Sequence, residues 1–100
     1  MTKMFFENEL RRKNTSDLKN IVKGLEVDRR DLYRELTEQG TSDTIRTYGF
    51  KGYEIDFKFA KSTNRAEFLR YRRYAILSLL RPLEDDIQLI KRVITKRREE

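Results

Sequence analysis

Leu18, Ile21, Val22 and Leu25 recur three and four positions apart, which lines one face of a short helix. Val27 interrupts that period, Asp28 is a good N-cap, and Leu32 and Leu36 then fall four apart. This pattern predicts two short helices over about residues 17–39, joined by a turn around Gly24 to Asp28. Gln39-Gly40 is the expected stop. Upstream, KMFFENELRRK offers Met4, Phe5 or Phe6, and Leu10 as the packed side of a further short helix. Thr15 or Ser16 is expected to cap the helix that follows it.

Beyond Gly40 the period changes. Tyr53, Ile55, Phe57 and Phe59 alternate with Glu54, Asp56 and Lys58, as in a half-buried strand. Ile45 to Phe50 supplies a partner strand, and Gly49 and Gly52 bracket a reversal around Phe50-Lys51. A lone hairpin is marginal, so its aromatic face must rest on the helices. After the cap-bearing loop Lys61-Ser62-Thr63-Asn64, RAEFLRYRRYAILSLLR is apolar over much of its circumference between Tyr74 and Leu80. Pro82 fits the first turn of another helix, with Glu84, Asp85 and Asp86 complementing its N-terminus. Leu83, Ile87, Ile90 and Ile94 step by four, three and four, a heptad seam that Leu89 and Val93 widen. The terminal KRREE has no apolar residue and is expected to fray.

Composition narrows the chemistry. The 100 residues suffice for one domain with a modest core. Mean hydropathy is −0.85, yet the apolar residues are patterned rather than scattered, which indicates a folded chain. Lys and Arg number 23 against 17 Asp and Glu, a net charge of +6 that suits a polyanionic partner. There is no cysteine and no histidine, which removes disulfides, thiolate chemistry and imidazole as base or metal ligand. No uninterrupted apolar run approaches a membrane span, and MTKMFFENELRRK lacks a signal peptide's apolar stretch, so a cytoplasmic location without membrane partners is expected.

Apolar positions before, at and after a tight turn are those of a helix-turn-helix, whose second helix would show Arg29, Arg30, Tyr33, Arg34 and Thr37 outward. With Ile21, Val22, Leu25, Val27, Leu32, Leu36, Gly40 and a hairpin from about Thr44 to Ala60, residues 17–60 resemble the winged-helix family of DNA-binding proteins. Glu26 stands where that family usually carries glycine. The resemblance implies an α+β, mostly helical, winged-helix-like domain spanning residues 1–100. It would consist of a helix-turn-helix at about 17–39, one β-hairpin at about 44–60 and two C-terminal helices at about 65–97. By the same analogy Arg30 and Arg34 would read the major groove, while Arg46 and Lys51 in the wing would approach phosphates or the minor groove.

The expected function is therefore that of a small sequence-specific DNA-binding regulator, not an enzyme, with duplex DNA as partner and no cofactor or metal. Leu83, Ile87, Ile90 and Ile94 would form a homodimer interface that sets two recognition helices one DNA turn apart. The alternative is that the same seam folds back over Phe5, Phe6 and Leu10 of its own chain. A second basic run, Arg70-Tyr71-Arg72-Arg73-Tyr74, suits phosphate contact and base stacking through Arg70 and Arg73, and hence RNA. Its blander reading places Arg72 and Arg73 along the core with their heads in solvent. Asp43 with Glu54, Asp56 and Lys58 has the acid-x-lysine spacing of metal-dependent nucleases, but two strands are too small a sheet for that fold. The other functional class is a protein-binding adaptor or inhibitor, of phage or plasmid type, docking on an acidic or nucleic-acid-binding surface of a partner.

Overall fold

The computed structural model describes residues 7–37, 44–47, 49–50, 52–56 and 64–99. These form α1 (Glu7–Arg12), α2 (Thr15–Thr37), β1 (Thr44–Arg46), β2 (Glu54–Asp56) and α3 (Arg65–Glu99). The mostly helical α+β character agrees with the sequence. The helix-turn-helix does not: α2 is one helix of 23 residues that passes straight through Gly24 and Asp28. The reason is a stripe that never breaks. Leu18, Leu25 and Leu32 lie seven apart and are completely buried, as is Asp28, seven residues after buried Ile21. A mid-helix glycine costs about 1 kcal/mol, whereas each buried leucine contributes about 1.5–3 kcal/mol. Burial decides the outcome.

The same competition fuses the two expected C-terminal helices. α3 runs 35 residues with Pro82 inside it. A proline there costs about 3 kcal/mol through a lost hydrogen bond and a ring clash. Ile76, Leu83 and Ile90, seven apart and fully buried on both sides of Pro82, offset that cost.

α2 and α3 pack antiparallel. Along their length Thr15 meets Arg97, Glu26 meets Lys91 and Glu35 meets Arg72, so the numbering rises on one helix as it falls on the other. The long axis of the molecule, 55 Å against 22 and 17 Å, is set by α3. One core joins Leu10 of α1, the α2 stripe, Ile45 of β1 and the α3 residues from Phe68 to Val93. Leu83, Ile87 and Ile90 are fully buried in it, so these residues of the expected dimer seam face their own chain. The fold-back over Leu10 is the arrangement observed; Phe5 and Phe6 lie outside the described residues.

Both long helices start on asparagine. Asn14 Oδ1 accepts from Asp17 N at 2.7 Å, and Asn64 Oδ1 accepts from Glu67 N at 2.9 Å. Asn14 thus caps α2, one residue earlier than the expected Thr15 or Ser16. The expected fraying also gives way, since α3 continues to Glu99. Arg97 lies seven residues after Ile90 and so faces inward. It donates to the carbonyls of Leu10, Arg11 and Lys13 at 3.3, 2.9 and 2.6 Å, and to Thr15 Oγ1 at 3.2 Å. These carbonyls lie at and just beyond the C-terminal end of α1, where helical donors run out and a cation is favoured.

β1 and β2 are antiparallel, with Thr44 opposite Asp56, Ile45 opposite Ile55 and Arg46 opposite Glu54. Beyond the strands, Thr47 N donates to Tyr53 O at 3.0 Å and Tyr53 N donates to Thr47 Oγ1 at 2.9 Å. Gly52 takes the left-handed conformation, φ +62°, that closes the turn. The strand extension through Phe57 and Phe59 lies outside the described residues.

The hairpin tip explains Gly24 and Asp28. Phe50 N donates to Gly24 O at 3.4 Å, and Gly49 N donates to Asp28 Oδ1 at 2.7 Å. A side chain at Gly24 would stand 2.4 Å from Phe50 Cβ, and one at Gly49 would stand 2.3 Å from Asp28 Oδ1. Residues that read as a helix end and a new cap are instead a notch and an acceptor for the turn.

Candidate binding groove

By the helical period, Gly24 and Asp28 lie on one edge of α2, and Lys19, Lys23, Glu26 and Arg30 lie on the other. The first edge is occupied by the hairpin. The second faces α3 across an open groove of about 590 Å³. Its apolar lining is Val22 and Val27 from α2 and Ile94 from α3, and Thr95 adds a hydroxyl. Lys19, Lys23 and Arg30 rise from α2 and Lys91 and Arg98 from α3. Glu26 is the single carboxylate among the lining residues.

Charge in the groove is only partly compensated. Glu26 lies 3.8 Å from Lys91 and 3.9 Å from Arg29, so one acid is shared between two bases. Arg30 stands 3.5 Å from Asp31 on an exposed turn, a pair worth little in water. Among the described residues, Lys19, Lys23 and Arg98 have no carboxylate within ion-pair distance. Because these cations flank apolar side chains, their field acts beside a partly dehydrated surface rather than in open solvent.

The expected nucleic-acid residues that are described lie on α2, the hairpin and α3. Arg30 lines the groove, and Arg34 is exposed one turn farther along α2. Arg29 is half-buried against Glu26. Tyr33 crosses to α3, its hydroxyl donating to Glu84 Oε1 at 2.5 Å, and this bond to a carboxylate raises the phenol's pKa. The Thr37 hydroxyl donates back to the carbonyls of Tyr33 and Arg34 at 3.0 and 3.3 Å. Arg46 pairs with Glu54 across the hairpin at 3.3 Å. Lys51 lies outside the described residues, as do Asp43 and Lys58. Arg70 and Arg73 are exposed on α3, remote in sequence from the groove. Of the four expected interface residues, only half-buried Ile94 reaches the groove.

Arg72 departs from the expectation of a solvated head. It is buried, donates from Nη1 to the Glu35 carbonyl at 3.0 Å and pairs through Nη2 with the Glu35 carboxylate. Glu35 therefore holds α3. The pair is structural. Tyr53, in the hairpin opposite Thr47, has its pKa raised first by burial and then by the charges of Asp28 and Asp86.

The groove cations other than Arg30 were missed by sequence reasoning. A signal existed: Lys19, Lys23 and Arg30 recur at helical spacing, as do Lys91 and Arg98. It points to one surface only once α2 and α3 are known to be unbroken and adjacent. Among the described residues there is no group of acids able to hold a metal, and no helix is long and apolar enough to cross a membrane. The chain matches no family model, no curated protein and no solved structure.

Proposed function

We propose that this chain is a protein-binding adaptor whose α2–α3 groove receives an acidic amphipathic helix. The observation that carries this reading is the pairing of an apolar lining with five cations and one acid in a single interhelical groove. A helix presenting leucines at i, i+3, i+4 and i+7 would place them on Val22, Val27 and Ile94. Its flanking Asp and Glu would meet Lys19, Lys23, Arg30, Lys91 and Arg98. The third helix completes a local three-helix arrangement at a site where two helices already lie side by side. Buried apolar contact supplies affinity; the cations supply orientation and speed of encounter.

The reading of a duplex-DNA regulator retains one supporting observation, the line of Lys19, Lys23 and Arg30 along α2. Phosphates would be drawn to it, but the apolar lining would be left without a partner. The test is titration of a 20-residue Leu/Glu amphipathic peptide, followed by amide and methyl chemical shifts, beside a 20-base-pair random duplex. Micromolar peptide binding that moves Val22, Val27 and Ile94 and falls at least tenfold in Lys23→Glu, Arg98→Glu is expected. Peptide indifference with steeply salt-dependent duplex binding would transfer the groove to nucleic acid.

A further inference from the structure

The outer face of α3, turned away from α2, carries a stripe with no role in the core. Arg70, Tyr74, Leu77, Arg81 and Asp85 follow one another at intervals of four, three, four and four, which places them along one side of the helix. Tyr74 is 73% exposed and Leu77 43% exposed, although both lie on the helix that contributes most to the core. Around them Ser78, Arg81, Pro82 and Asp85 complete a shallow depression of about 560 Å³. Among the described residues Arg70, Arg81 and Asp85 have no ion-pair partner. The Arg81–Asp85 spacing would permit a pair within the helix, yet none forms.

The order of these residues is self-complementary. Measured from the midpoint between Leu77 and Ser78, Tyr74 and Arg81 are equally distant on opposite sides, and so are Arg70 and Asp85. We propose that a second copy of this chain docks here, with two α3 helices antiparallel about a two-fold axis at Leu77–Ser78. In that register each Arg81 guanidinium covers Tyr74 of the other copy. Each Arg70 meets Asp85 of the other copy, and the two Leu77 side chains pack across the axis. A parallel pairing would set Arg70 on Arg70 and Arg81 on Arg81, so the charges select the antiparallel one. The face is distinct from the buried seam of Leu83, Ile87 and Ile90. One helix pair over about four turns is a small interface, and a dimer with Kd of about 10–300 µM is the expected strength.

The test uses the full chain. Sedimentation equilibrium between about 10 µM and 1 mM should show mass rising from 12.2 kDa toward twice that value. Arg70→Asp and Asp85→Arg should each shift dissociation at least tenfold upward, and the double exchange should restore it, with circular dichroism showing the fold kept. The chain has no cysteine, so Leu77→Cys gives a single thiol that should oxidise to a covalent dimer. Arg92→Cys is the control, because its mate would lie about 40 Å away. A monomer throughout the range, failure of the double exchange to restore association, or equal cross-linking of both cysteine variants would overturn the proposal.

Discussion

Gly24→Ala is the substitution on which local and tertiary reasoning disagree most sharply. Taken as a mid-helix glycine, position 24 should gain about 0.5–1 kcal/mol from alanine. Taken as the floor under the hairpin tip, it should lose. The new methyl would lie 2.4 Å from Phe50 Cβ and 3.1 Å from Phe50 N and Cα, and Phe50 is tied to the notch through the Gly24 carbonyl. Relief requires the tip to lift, which lengthens the 2.7 Å bond from Gly49 N to the fully buried Asp28 carboxylate. A hydrogen bond to a charged acceptor is worth about 1.5–3 kcal/mol. Subtracting the helical gain gives a net destabilisation of about 0.5–2.5 kcal/mol. Urea denaturation followed by circular dichroism measures it, and amide exchange at Gly49 and Phe50 reports the lifting. In a Phe50→Gly background the 2.4 Å clash disappears, so Gly24→Ala should there become neutral or stabilising. A stabilising Gly24→Ala in the wild-type background, or no coupling between the two positions, would refute the docking argument.

Two further outcomes follow from other joints of the fold. Arg97→Ala should free α1 and cost about 2 kcal/mol, since several donations from a charged guanidinium vanish at once, with amide protection lost first over residues 7–12. Arg97→Lys should recover only part of this, because one ammonium cannot span the carbonyls and Thr15 as the planar fork does. The Tyr33 and Tyr53 phenols titrate above their ordinary value in the folded chain, through the Glu84 bond and through burial respectively. The folded state therefore holds their protons longer than the unfolded state, so this contribution is complete below about pH 10 and is lost as pH rises through the raised pKa values. Tyr33→Phe and Tyr53→Phe should each flatten the alkaline fall in stability, and each should delete a late step from the absorbance titration at 295 nm.

Much of the helical content was legible because burial leaves a period. Leu18, Ile21, Val22, Leu25 and Leu32 are core residues as their spacing implied, and Asn64 begins the last helix as its loop implied. The hairpin was legible from alternation and from Gly52. What misled was punctuation. Gly24, Asp28 and Pro82 carry strong local signals for a turn, a cap and a first turn, and each signal was outweighed by apolar residues continuing seven apart on both sides. The unbroken intervals Leu18–Leu25–Leu32 and Ile76–Leu83–Ile90 were present in the chain and argue against any interruption. The same stripes hold polar residues that a purely apolar search passes over. Asp28 follows Ile21 by seven, Glu35 follows Asp28, Asp86 follows Leu79, and Arg97 follows Ile90. Every one of them is at least partly buried. The contacts of three of them show why: Asp28 anchors the hairpin tip, Glu35 pairs with Arg72, and Arg97 closes α1.

The groove was less legible because it belongs to neither helix alone. Its cations come from residues 19–30 and 91–98, two segments that meet only because the helices are long, continuous and antiparallel. Continuity also separates the two proposed surfaces. The groove lies about 17 residues along α3 from the Leu77–Ser78 midpoint, or about 25 Å at 1.5 Å per residue. In an antiparallel pair the two grooves would therefore stand at opposite ends, about 50 Å apart and both uncovered. A partner bearing one acidic helix would gain nothing from the second groove. A partner bearing two, on a linker able to span that distance, would bind the second at an effective concentration set by the linker, and its affinity would rise with assembly of the pair. The link between the surfaces is thus one of length and direction, and both are fixed by the residues that keep α3 unbroken through Pro82.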